Sequence, residues 1–145
     1  MSNPPSKVLQ DLLVTGSIVQ TSDATADWFS TRSMMADSPN RCVTLYDYAG
    51  GNPDPKWNID NPSVQCVIRG NVNDYDLCWS KAKEVKDALL GIMSQDIDGD
   101  RWISISMRGD INFLGRDDTS RPRLSVNFSI LKESALNAGA SRELL

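Results

Sequence analysis

Residues 61–92, NPSVQCVIRGNVNDYDLCWSKAKEVKDALLGI, read as one β-strand followed directly by one amphipathic helix. In residues 63–69 the apolar residues Val64, Cys66 and Ile68 alternate with polar ones, except at Val67, and this period of two is typical of a strand with one buried face. Apolar residues then recur at spacings of four and three, which predicts a helix with one buried stripe. The members of this stripe are Cys78, Ala82, Val85, Leu89 and Ile92.

The ends of this helix are also marked in the sequence. Asn73 is a suitable N-cap residue, and Val72 and Leu77 are spaced to pack against each other across the helix start. Gly91 is expected just after the last turn, where the backbone takes a left-handed conformation.

The remaining elements are placed by the same patterns. A first helix is predicted to begin near Ser6 and to end at Gly16, and residues 18–31 read as a loop followed by a short strand. Residues 96–100, DIDGD, form a turn. Three further strands alternate or are rich in β-branched and aromatic residues, and they span 42–48, 101–107 and 123–131. In the strand at 101–107, Ile103, Ile105 and Met107 are expected on one face and Trp102 on the other.

Two long connections, residues 49–62 and 109–122, separate these strands and are expected to lack regular structure. Loops of this length are uncommon in small domains and are usually functional or disordered. Trp57 and Ile59 in the first connection are expected to be contact residues, either on their own domain or on another chain.

The predicted fold class is therefore α+β, a two-layer domain in which two helices pack on one face of an approximately four-stranded mixed or antiparallel sheet. The second sheet face is polar and suits solvent or a flat contact with another subunit. We expect one domain over residues 1–145, with a loose N-terminus at 1–5 and a C-terminal tail at 133–145. The short polar residues of the second face are Gln65, Arg69, Ser104, Ser106, Ser125, Asn127 and Ser129.

The composition and charge of the chain argue against several classes of protein. The formal net charge of −4 argues against a dedicated nucleic-acid binder, which would carry a basic surplus. No apolar run approaches the roughly 20 residues of a membrane helix, and the start of the chain does not resemble a signal peptide, so we expect a cytosolic origin and no membrane partner. The three cysteines, Cys42, Cys66 and Cys78, are expected to be buried free thiols.

The sequence offers little chemistry for catalysis. The chain has no histidine, which removes the common acid–base and nucleophile–histidine arrangements. The run Asp96, Asp98, Asp100 resembles a calcium loop but fails its pattern. Gly99 lies before the third aspartate rather than after it, and Met107 stands where the closing glutamate is required. Phosphate-binding glycine loops are also missing, so we predict no catalytic residue, no cofactor, no metal and no enzyme activity.

Several segments together resemble the tail terminator, or tail-completion, proteins of long-tailed bacteriophages, which are often classed as minor capsid proteins. The similarity covers residues 6–132. It includes VTLYDYAGGNPDP at 43–55, PSVQCVIRG at 62–70, the amphipathic helix, and FLGRDDTSRPRLSVNFSI at 113–130, the most specific of these segments.

This resemblance implies a structural virion protein of the tail neck, assembled in the host cytoplasm. It implies a hexameric ring on the head-proximal end of the tail tube that stops tube polymerisation and joins the head-completion, or stopper, protein. DNA would pass through the lumen without specific binding. We expect the two long connections to supply ring or tube contacts, unless they merely brace their own domain, and we expect Arg116 and Arg121 to pair with carboxylates of a neighbouring subunit. The candidate interface residues are Trp57, Ile59, Phe113, Leu114, Arg116, Asp117 and Arg121.

Three alternatives remain open at this point. The nearest is another neck or connector protein, such as a head-completion or stopper protein. The second is a small-ligand or nucleic-acid-binding module, but the sequence shows neither the basic stripe nor the aromatic stacking platform that nucleic-acid binding would use. A hydrolase using carboxylates such as Asp96, Asp98 or Asp117 would require a pocket that sequence cannot reveal.

Overall fold

The structure, a computed structural model, describes residues 3–21 and 27–145 and is an α+β fold with two helices and eight strands. The prediction of an α+β fold is confirmed, but the predicted number of about four strands is wrong. In chain order the elements are α1 Pro5–Thr15, β1 Phe29–Arg32, β2 Cys42–Tyr48, β3 Ile59–Asp60, β4 Ser63–Arg69, α2 Tyr75–Leu89, β5 Gln95–Ile97, β6 Asp100–Met107, β7 Asn112–Arg116 and β8 Pro122–Glu133.

The eight strands form one curled mixed sheet in the order β1-β2-β4-β8-β6-β5, with β3 and β7 also paired to β8. Only β1 and β2 run parallel among the described strand pairs, and the other pairs are antiparallel. The 12-residue strand β8 pairs with β4 and β3 along one edge and with β7 and β6 along the other. β8 is therefore the central strand of the fold.

Three strands lie in segments that were expected to be loops or turns. β3 lies in the first long connection, β7 lies in the second, and β5 occupies the turn before β6. Each is short and forms because the backbone groups of a longer strand are available to pair with it. β3 and β7 pair with β8, and β5 pairs with β6.

Both helices pack on one face of the sheet and contribute to one core cluster. Val64, Cys66 and Ile68 of β4 lie beside Phe128, Val126 and Leu124 of β8, and all six side chains are fully buried. The predicted stripe of α2 covers them, with Cys78, Ala82, Val85 and Leu89 also fully buried. Burial of each large apolar side chain stabilises the fold by about 1.5–3 kcal/mol.

The prediction for the faces of β6 is wrong at one residue. The register of β6 against β8 shifts between Trp102 and Ser104, so Ile103 is an extra residue in a β-bulge. Trp102 then lies opposite Lys132 on the core side and is only 2% exposed. A one-residue shift moves a side chain to the other face because strand side chains alternate.

The start of α2 also differs from the prediction. The N-cap residue is Asp74, whose side chain accepts a hydrogen bond from the Leu77 backbone N–H at 3.3 Å. Asn73 instead takes a left-handed conformation with φ 57°, and Val72 is 49% exposed. At the other end, Gly91 follows the helix with φ 80°, as expected.

Candidate functional site

The candidate interface residues lie in two groups at opposite ends of β8. Ile59 lies in β3, which pairs with Lys132 and Glu133, and Trp57 lies just before this strand. Phe113, Leu114 and Arg116 lie on β7, which pairs with residues 122–125, and Asp117 and Arg121 lie in the turn that joins β7 to β8. At about 3.3 Å per residue the two ends of β8 are roughly 36 Å apart. The structure therefore does not bring the seven residues into one site.

The Trp57 end is held by residues of its own chain. The backbone of Glu143 donates to the Lys56 carbonyl at 2.7 Å and accepts from the Asn58 N–H at 3.0 Å, so the tail lies beside this segment. Arg142 forms an ion pair with Asp60 at 2.7 Å. The tail that was expected after residue 132 thus begins within β8 and folds back against β3.

In the turn after β7, Asp117 and Arg121 bind each other. The Arg121 guanidinium contacts the Asp117 carboxylate at 2.7 Å, and the Arg121 backbone N–H donates to the same carboxylate at 2.9 Å. Burial alone would raise the pKa of Asp117, but the hydrogen bonds from Arg121 and Thr119 outweigh it and hold that pKa at about 2. Arg121 was expected to pair with a neighbouring subunit, yet its guanidinium is already bound here and the residue is 7% exposed.

Two buried arginines also hold residues 33–41 over one end of the second sheet face. Arg69 donates to the Ala36 carbonyl at 2.6 Å and to the Pro39 carbonyl at 2.7 Å. Arg121 donates to the Asp37 carbonyl at 2.7 Å. Because this segment covers it, Arg69 is 4% exposed rather than on an open polar face. Through Arg121, residues 33–41 are also bound to the turn that joins β7 to β8.

An aromatic cluster lies where β7 meets α2. The rings of Phe113 and Tyr75 pack edge to face, with centroids 5.4 Å apart. Trp79 lies one turn after Tyr75 on the same side of the helix and is 40% exposed. Arg116 donates to the side-chain oxygen of Asn73 at 3.2 Å beside this cluster. A water-exposed aromatic cluster flanked by arginine has the composition of a protein–protein interface.

Tyr75 and Trp79 were missed by the sequence analysis. The signal was available, because these two aromatic residues lie four apart on a flank of α2, beside its buried stripe. Large aromatic residues on a wet helix face indicate a contact surface rather than a core.

Comparison with known families decides the family of this chain. A model of the family described as "Bacteriophage tail terminator protein" matches residues 10–133. The chain belongs to this tail terminator family. The match covers most of the chain, from within α1 to the end of β8, and includes both groups of candidate interface residues.

The fold of this chain also resembles that of a solved structure. A chain of "Virion of native gene transfer agent (GTA) particle" superimposes with a TM-score of 0.58 at 15% identity, covering 90% of this chain and 87% of that one. At this identity the similarity shows a shared fold. No curated protein sequence matches the tail terminator at a significant level.

Each of the three aspartates at 96–100 contacts a different partner. Asp96 pairs with Arg101 at 3.3 Å, Asp98 accepts from Asn3 at 2.7 Å, and Asp100 pairs with Lys132 at 2.8 Å. Within residues 3–21 and 27–145, no cluster of three or more His, Cys, Asp or Glu side chains is arranged to hold a metal ion. None of the helices in that part of the chain is long and apolar enough to cross a membrane.

The three thiols, those of Cys42, Cys66 and Cys78, are buried and free. Burial raises the pKa of Cys78 to about 12 and also raises the pKa values of Cys66 and Cys42. Thiols that stay protonated at neutral pH are poor nucleophiles and poor metal ligands.

Proposed function

We propose that this protein forms a hexameric ring that caps the head-proximal end of the phage tail tube. The ring stops tube polymerisation and presents a surface to the head-completion or stopper protein. The observation that carries this proposal is the tail terminator family match over residues 10–133. The fold shared with a chain of a virion particle supports the assignment to a virion. Within this proposal the protein belongs to the tail neck and is assembled in the host cytoplasm.

The role is structural rather than enzymatic. The ion pairs of Asp96 and Asp100 and the raised pKa of Cys78 support it, because these groups are not poised for acid–base or nucleophilic chemistry. The net charge of −4 also suits a lumen through which DNA slides without specific binding, since Lys and Arg contacts to phosphates are what make such binding tight.

Both groups of candidate residues are contact regions in this proposal. Phe113, Leu114 and Arg116 present side chains directly from β7, whereas Asp117 and Arg121 act by fixing the turn that orients it. Trp57 and Ile59, at the other end of β8, contact the tube or a neighbouring subunit through the segment that the tail supports.

The test uses the purified protein and tail tubes of the same virus. Light scattering gives the mass of the protein alone, and electron microscopy of the mixture shows where it binds. We expect a hexamer, or a monomer that becomes a ring at one tube end, and tubes that no longer elongate when tube protein is added. A monomer that ignores tubes would refute the function. Normal ring formation and tail joining in both Trp57→Ala and Arg116→Ala would refute the assignment of these residues.

A further inference from the structure

One edge of the molecule carries a concentration of exposed apolar side chains. Six of the thirteen large apolar side chains that are exposed in the described residues lie along α2, the segment after it, and β7. We call them the α2–β7 strip, and they are Tyr75, Trp79, Leu90, Met93, Phe113 and Leu114.

Contacts within the subunit bring β7 to the side of α2 that carries Tyr75. Phe113 packs against Tyr75 near the start of α2, and Lys86 near the helix end pairs with Asp110, just before β7, at 2.9 Å. Residues 75, 79, 86 and 90 follow at spacings of four, seven and four, which is one helical stripe. Gly91 donates to the Ile105 carbonyl at 3.2 Å, so the segment carrying Met93 continues along β6 on the same side.

The exposed area of the strip is close to what an assembly interface requires. At about 200 Å² for each large side chain, the exposed fractions leave roughly 600 Å² of surface. The largest apolar patch of a typical monomer is about 300–600 Å². A standard interface buries about 800 Å² on each partner, and its polar rim supplies the difference.

Two lysines beside the strip are paired with aspartates inside the subunit. Lys86 binds Asp110, and Lys83 binds Asp87 at 2.7 Å. These pairs leave little net charge for a polyanion such as DNA. The bulge in β7 between Phe113 and Gly115 also makes this edge a poor template for adding another strand, so docking would use side chains.

We propose that the α2–β7 strip is the surface by which each subunit binds the next copy of this chain. This inference rests on the proposed ring, in which every subunit must bury one surface against a neighbour. Contacts between copies that stay assembled are more apolar than transient contacts, and the strip consists of exposed apolar and aromatic side chains. The two copies meet through different surfaces, because a strip-to-strip contact would close a dimer and leave no ring.

Matched pairs of variants test the strip. Trp79→Glu and Tyr75→Ala change it, while Val14→Glu and Tyr48→Ala change residues of nearly equal exposure elsewhere: 40% and 41% against 38% and 39%. Each protein is assayed by sedimentation velocity over a concentration series, alone and with tail tubes, and its melting temperature verifies folding. We expect Trp79→Glu to weaken ring formation at least tenfold, Tyr75→Ala to weaken it less, and both controls to assemble normally.

The outcomes separate this inference from the proposed function. If the wild type forms rings on tube ends and folded Trp79→Glu does so equally well, the strip is not the subunit interface although the function stands. If Trp79→Glu forms normal rings that no longer bind tubes or the head-completion protein, the strip binds that partner instead. If the wild type never forms a ring, the proposed function fails, and this inference fails with it.

Discussion

Replacing Lys132 with methionine should destabilise the fold by leaving a buried carboxylate without its cation. Lys132 of β8 and Asp100 of β6 form an ion pair at 2.8 Å, and their side chains are 7% and 2% exposed. Removing one partner of such a pair typically costs about 3–5 kcal/mol, mostly because the other charge stays buried. Ala135 still donates its backbone N–H to Asp100 at 2.7 Å, so we expect the lower end, about 3 kcal/mol.

The assay is urea and thermal unfolding at one fixed protein concentration, because assembly would otherwise shift the apparent stability. At about 2–4 °C per kcal/mol for a domain of this size, the melting temperature should fall by about 6–12 °C. Lys7→Met is the matched control, since its ion pair with Asp11 has side chains 40% and 52% exposed, and it should change stability by less than about 0.5 kcal/mol.

Two results would refute this reasoning. One is a loss of less than about 1 kcal/mol in Lys132→Met, which would place the pair in the range of a surface salt bridge. The other is a double variant Lys132→Met/Asp100→Asn whose loss equals the sum of the two single losses. A coupled pair should instead show an interaction energy of about 0.5–3 kcal/mol in that cycle.

Three further predictions concern single sites. The pKa of Asp117 is about 2 in the fold against an ordinary 3.8, so its stabilising contribution is complete above about pH 4 and is lost towards pH 2; Asp117→Asn should flatten the pH dependence of the urea midpoint in that range, and parallel profiles would contradict this. Gly70→Ala should cost about 1–3 kcal/mol, because the added Cβ would lie 2.8 Å from the Cβ of Cys78, whereas Gly16→Ala meets nothing closer than 3.5 Å and should be nearly neutral by urea unfolding. A thiol reagent at pH 8 should label the cysteines at least about a hundredfold faster in urea than in the native protein, and rapid native labelling would show that they are accessible.

The sequence was most informative where burial alone determines conformation. In β4 and α2 the apolar spacing is set by residues within one element, so the pattern could be read without knowing its partner. The short strands β3, β5 and β7 could not be predicted this way, since their pairing depends on backbone groups of β8 and β6 that are distant in sequence. Trp102 lies on the face opposite to the predicted one because of a bulge in β6, and the pattern of apolar and polar residues does not reveal such a bulge.

The candidate site was predictable only in part. Phe113 and Leu114 stand out in a segment without regular patterning, and both are exposed on β7. The contacts of Arg121 within its own chain could not be predicted, because they depend on the positions of the Asp117 carboxylate and the Asp37 carbonyl. Trp79 was overlooked because α2 had been read for the side that it buries.

The position of β8 has a consequence for how the subunit is made. β3, β4, β6 and β7 all pair with residues 122–133 and all precede them in the chain. During translation the strands therefore emerge from the ribosome before the strand that joins them, and the sheet cannot close until Glu133 has left the exit tunnel. A ribosome-bound nascent chain would then lack the finished β7 edge, so specific contacts that use this edge have to wait until β8 has been synthesised, and until then the unpaired strands are open to non-specific association.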